Sequence, residues 1–460
     1  MSRYSLSLFI FRRDLRIDDN RALLEALSLS DSVLPCFIFD PRQINKHPYQ
    51  SLPALQFMLD SINDLQSTFE AIDGKLALFQ GLPSEIVKKV FKTQRIDAVF
   101  VGRDYTPFSR HRDKELADAC QKLGIEFHSV PDTLLLEPEQ ALKADRSPYK
   151  VFTAFYNNAR RFPVPLPVVL DKTKFVQGDS GLIEPQELFP QIESRLKCQS
   201  GGRTCGLTIL AGLERQNRYQ EERDSPGLDA TSRLSAHLKF GTCSVREVYY
   251  AIVHRLGTEH PLLRQLYWRD FFTHIAFYFP YVFGKAFHSR YDNLVWENSL
   301  ATFQRWSEGT TGFPIVDAGM RELNATGFMH NRVRMITASF LTKDLHISWR
   351  WGERYFAQHL VDYDPAVNNG NWQWAASTGC DAQPYFRIFN PWLQQRKFDP
   401  ECRYIYRWIP ELKAMPPQVI HKGDRHPIGS GYPMPMVDHA VESKRAIVFY
   451  KAVEKATQDD

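Results

Sequence analysis

Hydrophobic positions in the first 130 residues fall into two alternating kinds of run. Short, nearly continuous apolar stretches at 5–10 (SLSLFI), 33–40 (VLPCFIFD), 75–81 (KLALFQG), 97–104 (DAVFVGRD) and 126–130 (EFHSV) predict buried strands. Between them apolar residues recur at helical spacing, at 20–28, 54–69, 83–92 and 108–123. Leu55, Phe57, Met58, Ile62, Leu65 and Phe69 mark the second of these helices. Strands apolar on both faces, each followed by a helix, predict a parallel sheet covered on both sides. A ligand of such a sheet sits at the carboxyl ends of its strands, where Phe39-Asp40-Pro41-Arg42 and GRDYTPFSRHRD (102–113) lie. No GxGxxG follows a strand and no P-loop occurs, so the domain is Rossmann-like without the dinucleotide fingerprint. The periodicity then weakens over 131–203, which is punctuated by PVPLPVV, GDSG and Ser200-Gly201-Gly202. From Gly206 onward strand signals vanish, and helical patterns occupy 209–220, 234–239, 244–256, 261–279, 314–325, 329–344, 349–361 and 401–409. The expected architecture is an α/β parallel-sheet domain (1–130), a connector (131–203) and an all-α domain (204–460).

Composition narrows the class. A chain of 460 residues is too long for one ordinary core, and 43% hydrophobic with 24% charged residues is the balance of a soluble globular protein. Aromatic content is high, with 32 Phe, 19 Tyr and 9 Trp. The net charge of +4 gives no global basic field, so any nucleic-acid surface must be a local patch. Seven scattered cysteines (Cys36, Cys120, Cys198, Cys205, Cys243, Cys380, Cys402) form no CxxC pair, which argues against a disulfide framework or structural zinc and for a reduced compartment. The apolar run at the N-terminus is too short for a secretory signal, and no apolar stretch of about 18 residues predicts a membrane span. A cytoplasmic protein is expected, or a nuclear one in a eukaryote, and a monomer.

The candidate chemistry lies in the second half. In ATSRLSAHLKFG (230–241), Thr231, Ser232, Arg233 and Ser235 open a helix, not far beyond Tyr219. Hydroxyls and free backbone N–H groups there suit a phosphate, although a simple helix cap with a surface arginine would look the same. Within LLRQLYWRDFF (262–272), Arg264, Gln265 and Trp268 share a helical face, offering a stacking ring and an amide, or a core tryptophan beside surface residues. Asn331, Arg334 and Met335 in FMHNRVRM lie at i, i+3 and i+4. LVDYDPAVNNGNWQW (360–374) supplies Asp362, Asp364, Asn368, Asn369, Trp372 and Trp374, with Arg334 available to pair with either aspartate. A glycosidase could use two such carboxylates, but the surrounding Trp, Asn and Arg suit a planar heterocycle better. Segment 321–350 carries five Lys/Arg (Arg321, Arg332, Arg334, Lys343, Arg350) against Glu322 and Asp344, a weak sign of a phosphate-binding surface.

Several of these runs match one family. FRRDLRIDDN, TSRLSAHLKFG, WRDFF, GMRELNATGFMHNRVRMITASFLTKDL and NNGNWQWAASTG with PYFRIFNP resemble the photolyase/cryptochrome family, most closely its class I cyclobutane pyrimidine dimer photolyases, in order and over nearly the whole chain. The resemblance implies an antenna chromophore in the α/β domain and a folded FAD in the helical domain. It assigns Tyr219, Thr231, Ser232, Arg233, Leu234 and Ser235 to the FAD phosphates and ribityl chain. Asn368 would face flavin N5, with the Arg334–Asp362 pair and Asp364 beside the ring, a setting that favours the anionic reduced flavin. Trp372, Trp349 and Trp296 would relay an electron from the surface to the photoexcited flavin. Gln265, Trp268, Asn331, Arg332, Met335, Trp374 and Arg387 would line the lesion pocket.

The implied activity is light-driven repair of cyclobutane dimers in damaged DNA, by an electron from reduced anionic FAD to a dimer flipped out of the stack; photolyases are among the enzymes known to flip their base. Such chemistry needs no nucleophile or metal. One residue departs from the pattern. Dimer photolyases of class I mostly carry glutamate where Gln265 stands, and relatives acting on (6-4) photoproducts tend to carry glutamine there. Those relatives place histidines in the Met329–Arg332 run, whereas Asn331 and Met335 follow the dimer pattern. GRDYTPFSRHRD lacks the acid that folate-binding relatives use, leaving a deazaflavin, a second flavin, folate or no antenna. A non-repairing cryptochrome is the alternative from another class, and it often has an extended tail; about seventy residues follow the last motif here, ending in a helix-like run.

Overall fold

The computed structural model describes residues 2–171, 174–176, 189, 199–424, 426–429 and 431–456. Cys198 and the GDSG run of the connector lie outside the described residues. Contacts divide the chain into two compact units: Met1–Glu214 with Ser232–Tyr278, and Arg215–Thr231 with Phe279–Asp460.

The first unit is built on a five-stranded parallel sheet, β1 (Tyr4–Phe11), β2 (Ser30–Phe39), β3 (Ala77–Gln80), β4 (Ala98–Gly102) and β5 (Glu126–Val130), in the order β3-β2-β1-β4-β5. The expected strands are all present, and so are the four helices, Arg21–Leu29, Leu52–Glu70, Pro83–Gln94 and Pro107–Leu123. Sequence makes their starts legible: the side chains of Asn20, Ser51 and Thr106 each accept a backbone N–H of the first turn. Leu8, Leu34 and Val99 face one another across β1, β2 and β4 and pack on Val87 and Leu116. The strand order reverses beside β1, so the crevice of this sheet opens between the ends of β1 and β4.

Residues 232–278 are helical yet group with the sheet, across the change of pattern at 204. A buried quartet explains this. Arg246 donates to Asp132 Oδ1 (2.6 Å) and Asp19 Oδ2 (2.8 Å), while Arg16 donates to Asp132 Oδ2 (2.5 Å). All four side chains are almost fully enclosed. Burial would raise the Asp132 pKa, but the two guanidinium groups hold it below the ordinary carboxylate range. Much of the FRRDLRIDDN run therefore does structural service, and removing one partner would strand a buried charge.

The second unit is helical. Its principal helices are Leu300–Glu308, Pro314–Thr326, Asn331–Lys343, Trp349–His359, Pro365–Ala375, Pro391–Phe398, Arg403–Trp408 and His439–Ala456, around a core that includes Trp306, Phe313, Met320, Phe340, Trp349 and Trp372. No strand follows Val130 among the described residues. The helix expected over 209–220 is broken up: Arg203–Ala211 is α-helical, Leu213–Gln216 is a 3-10 turn, and Tyr219–Glu222 is a single α-turn. Gly212 caps the first piece. None of the described helices is long and apolar enough to cross a membrane.

Candidate functional site

Within the second unit the chemistry is carried by two helices and the loop between Leu360 and Asp364. Pro365 begins a helix at a position that loses no hydrogen bond, and Asp364 caps it, its Oδ1 accepting from the N–H groups of Ala366 (3.0 Å) and Val367 (3.2 Å). Two residues earlier, Asp362 receives a bidentate fork from Arg334, Nη1 to Oδ1 at 3.2 Å and Nη2 to Oδ2 at 3.0 Å. Arg334 is fixed a third time, by donation from Nε to the Met329 carbonyl at 2.7 Å. Residue types alone left both aspartates open as its partner and the family resemblance named Asp362; the structure pairs it with Asp362 and uses Asp364 as the cap. Asn368, one turn into the helix, is buried and donates to the Glu353 carbonyl at 3.0 Å. Its neighbour Asn369 turns to the Val282 carbonyl (3.0 Å) and joins Gln373 in a buried amide network. The two adjacent asparagines thus have different work.

Trp372 and Trp349 lie in the unit's core, 2% and 1% exposed, and the half-buried Trp296 packs against the same cluster. Of the three, only Trp296 reaches the unit's surface. Trp296 meets Phe449 and Tyr450 of the last helix edge-on, at 5.6 and 6.5 Å between ring centres.

Of the residues assigned to a lesion, Asn331 is the first residue of its helix and donates to Met335 Sδ at 3.7 Å, so these two do share a face. Trp374 is half-buried and Arg387 is exposed. Arg332 points to Asp224 (2.9 Å) and lies over the Phe398 ring at 4.4 Å. The basic excess of 321–350 is largely internal. Lys343 is 1% exposed, bonds Ser377 Oγ at 3.0 Å and sits 3.6 Å over the Tyr450 ring, and burial pushes its pKa well down. Arg321 pairs with Glu411 (2.7 Å) and Arg350 with Asp292 (2.5 Å). This corrects the reading of that segment as a phosphate-binding surface.

Tyr219 is buried in the second unit with Arg223 over its ring at 5.7 Å. Thr231 Oγ1 is buried and makes no hydrogen bond among the described residues. Ser232, Arg233, Leu234 and Ser235 follow in the first unit, where Ser235 begins a six-residue helix whose cap position, Leu234, bonds no backbone N–H through its side chain. The hydroxyls of 231–235 are therefore not occupied as a helix cap, the simpler role the sequence allowed. Arg233 holds a positive φ of 54°, which turns the chain just before that helix.

Also in the first unit, Trp268 lies face to face with Phe152, ring centres 3.5 Å apart and planes 5° from parallel. Arg264 covers Phe152 at 5.1 Å. Gln265 is half-buried, and no hydrogen bond of its side-chain amide is found among the described residues. Burial raises the Asp270 carboxyl to about 7 although Leu135 and Leu136 donate their N–H groups to it, at 2.9 and 3.2 Å. Among the described residues no cluster of His, Cys, Asp and Glu could hold a metal.

Sequence reasoning passed over Trp306 and Phe152. Both read as ordinary core, and only their ring contacts with Trp372 and Trp268 give them a further interest.

Comparison with known proteins bears on this arrangement. A family model for the FAD binding domain of DNA photolyase matches residues 262–452, and one for DNA photolyase matches residues 7–170. The deoxyribodipyrimidine photo-lyase of Alkalihalophilus pseudofirmus is 36% identical over 475 residues, covering 97% of this chain and 98% of its own. An archaeal photolyase structure from Sulfolobus tokodaii, with two FAD molecules, shares 43% identity and a TM-score of 0.88, covering 97% of this chain and 100% of that one. A class III photolyase structure from Agrobacterium tumefaciens shares 35% identity and a TM-score of 0.91, covering 98% of each chain.

Proposed function

Because the chain belongs to the photolyase/cryptochrome family, we propose that it is a deoxyribodipyrimidine photo-lyase that uses FAD and light to split cyclobutane pyrimidine dimers in DNA. The observation that supports this most is the Arg334–Asp362 fork next to the Asp364-capped helix that presents Asn368, within the stretch matched by the FAD-binding model. The residues present fit the cofactor: the unpartnered Thr231 hydroxyl suits a phosphate or ribityl oxygen, and the Arg334 guanidinium and the Asn368 amide suit a ring that must hold negative charge.

FAD supplies the light absorption and the one-electron chemistry when bound. The protein's own groups do the rest. Tyr219 and residues 231–235 grip the phosphates and ribityl chain. Arg334, its charge offset by Asp362, and Asn368 orient the ring and favour its anionic form. Trp372, Trp349 and Trp296 carry electrons inward from the surface. Trp374, and the face of Trp268 that Phe152 does not cover, offer surfaces for the flipped bases, each stack worth roughly 1–3 kcal/mol. Gln265, Asn331, Arg332, Met335 and Arg387 contact the lesion and its backbone. Arg332 must exchange or share Asp224 to do so.

We assign the chain to the class I dimer-repair type on Asn331 and Met335, and we place it as a monomer in the cytoplasm or nucleus, where free thiols such as Cys36, Cys205 and Cys402 persist. A second chromophore in the sheet domain is compatible with the two-FAD relative, and a second flavin is our preferred antenna. Gln265 favours one other substrate, the (6-4) photoproduct. Two oligonucleotides, one bearing a cyclobutane dimer and one a (6-4) lesion, irradiated with the purified protein, separate these readings. Loss of the dimer alone is expected; loss of the (6-4) lesion alone would transfer the assignment to that substrate.

A further inference from the structure

We propose that Trp306 is a second electron donor to Trp372, opening a branch that reaches the surface at Trp351. The proposal rests on the reading that Trp372 is the tryptophan next to the cofactor. Trp306 is fully buried and meets Trp372 nearly edge-on, ring centres 6.2 Å apart at 71°. Phe303 touches Trp306 at 5.5 Å and Trp351 at 5.3 Å, and Trp351 is half-buried at the margin of the same core. An unbroken line of ring contacts therefore runs from Trp372 to the periphery of the unit. Trp349, the relay member assigned by resemblance, has no such ring neighbour among the described residues. It instead carries the Arg350 guanidinium 4.7 Å over its indole, and a nearby cation disfavours positive charge on the ring.

The alternatives at the far end are chemically weaker. Tyr355 also touches Trp306, at 5.7 Å, but its one hydroxyl proton can go only to the amide oxygen of Asn324 (2.7 Å) or the Ser307 carbonyl (3.1 Å). Neither can take the proton that a tyrosine loses on oxidation, and burial raises the Tyr355 pKa to about 12. Phe303 is too hard to oxidise and serves as the medium between two indoles. Trp306 donates its indole N–H to the Thr337 carbonyl at 3.1 Å, so its radical cation keeps its proton and passes the charge on.

After Trp372 has given one electron to the photoexcited cofactor, Trp306 gives one electron to the Trp372 radical cation. Trp351 then gives one to Trp306, and the Trp351 radical cation loses its indole proton to water. A thiol in solution returns one electron and one proton to Trp351.

Flash photolysis of the FAD-loaded, oxidised protein with an added thiol tests this, reading tryptophan radicals by transient absorption and electron spin resonance. In Trp349→Phe a tryptophan radical should persist, and adding Trp306→Phe should lower its yield by about tenfold. Adding Trp351→Phe in place of Trp306→Phe should leave the first radical but shorten its lifetime by about tenfold; this half-buried position keeps the test available if the double core variant fails to fold. A normal wild-type signal that vanishes completely in Trp349→Phe overturns the branch alone. So does a double variant with the same radical yield and lifetime as Trp349→Phe. A wild type with no tryptophan radical at all overturns the relay itself, and the branch with it.

Discussion

Gly352 is held to glycine by Trp372, and replacing it tests whether that contact is real. The residue sits in the helix Trp349–His359, where alanine should help by about 1 kcal/mol on helix propensity alone. A Cβ there would lie 2.1 Å from Trp372 Cη2, 2.5 Å from Cζ3 and 2.6 Å from Leu341 Cδ2. Carbon contacts relax at about 3.5 Å, so the worst overlap is 3.5 − 2.1, or about 1.4 Å. The indole cannot swing away: Trp372 is 2% exposed, Phe356 stands edge-on to it at 4.9 Å, and Trp306 lies beyond. Overpacking of a closed core costs about 1–3 kcal/mol, and an overlap spread over three atoms belongs at the upper end. Gly352→Ala should therefore lose about 2 kcal/mol net after the helix gain. Denaturant titration followed by circular dichroism, with the m-value checked for constancy, measures it. The same variant should show a lower yield of light-induced tryptophan radical, since the helix carrying Trp349 must move away from Trp372. A variant as stable as the parent, or more so, with an unchanged radical yield would refute the packing argument.

Asp270 titrates at about 7 in the folded protein against about 3.9 unfolded, so it stabilises the fold fully below pH 4 and that contribution is lost as pH rises through 7, about 4 kcal/mol in all. Asp270→Asn keeps an oxygen for the Leu135 and Leu136 N–H groups, so its stability should fall less than the parent's between pH 5 and pH 8; equal slopes in denaturant titrations would contradict the assignment. Gln265→Glu should retain or improve light-driven dimer repair, and a repair assay showing loss of all dimer activity would contradict a dimer-type pocket.

The sheet domain was legible because its strands are buried on both faces, which writes each of them as a solid apolar run, and because Asn20, Ser51 and Thr106 mark the helix starts. The helices Leu300–Glu308 and Pro391–Phe398 escaped although Ser299 and the Asn390-Pro391 pair signal their beginnings; each is under ten residues and too short to establish a periodicity. Lys343 misled in the opposite direction. A lysine at a helix end reads as solvent-facing, and here the helix end is itself enclosed by Tyr450 and Ser377. The choice between Asp362 and Asp364 as partner of Arg334 depends on how one helix is rotated against a loop, which no local pattern encodes; only the family motif named Asp362. Most site roles came from long motif matches, since a tryptophan such as Trp372 or Trp306 has the burial of any core residue.

The central claim is repair driven by light. Purified protein carrying reduced FAD should be mixed with DNA containing cyclobutane dimers, and one half illuminated with blue light while the other stays dark. The account predicts loss of dimers in the illuminated sample only, with restored pyrimidines in their place. Dimers that survive illumination, with FAD shown to be bound and reduced, would contradict it.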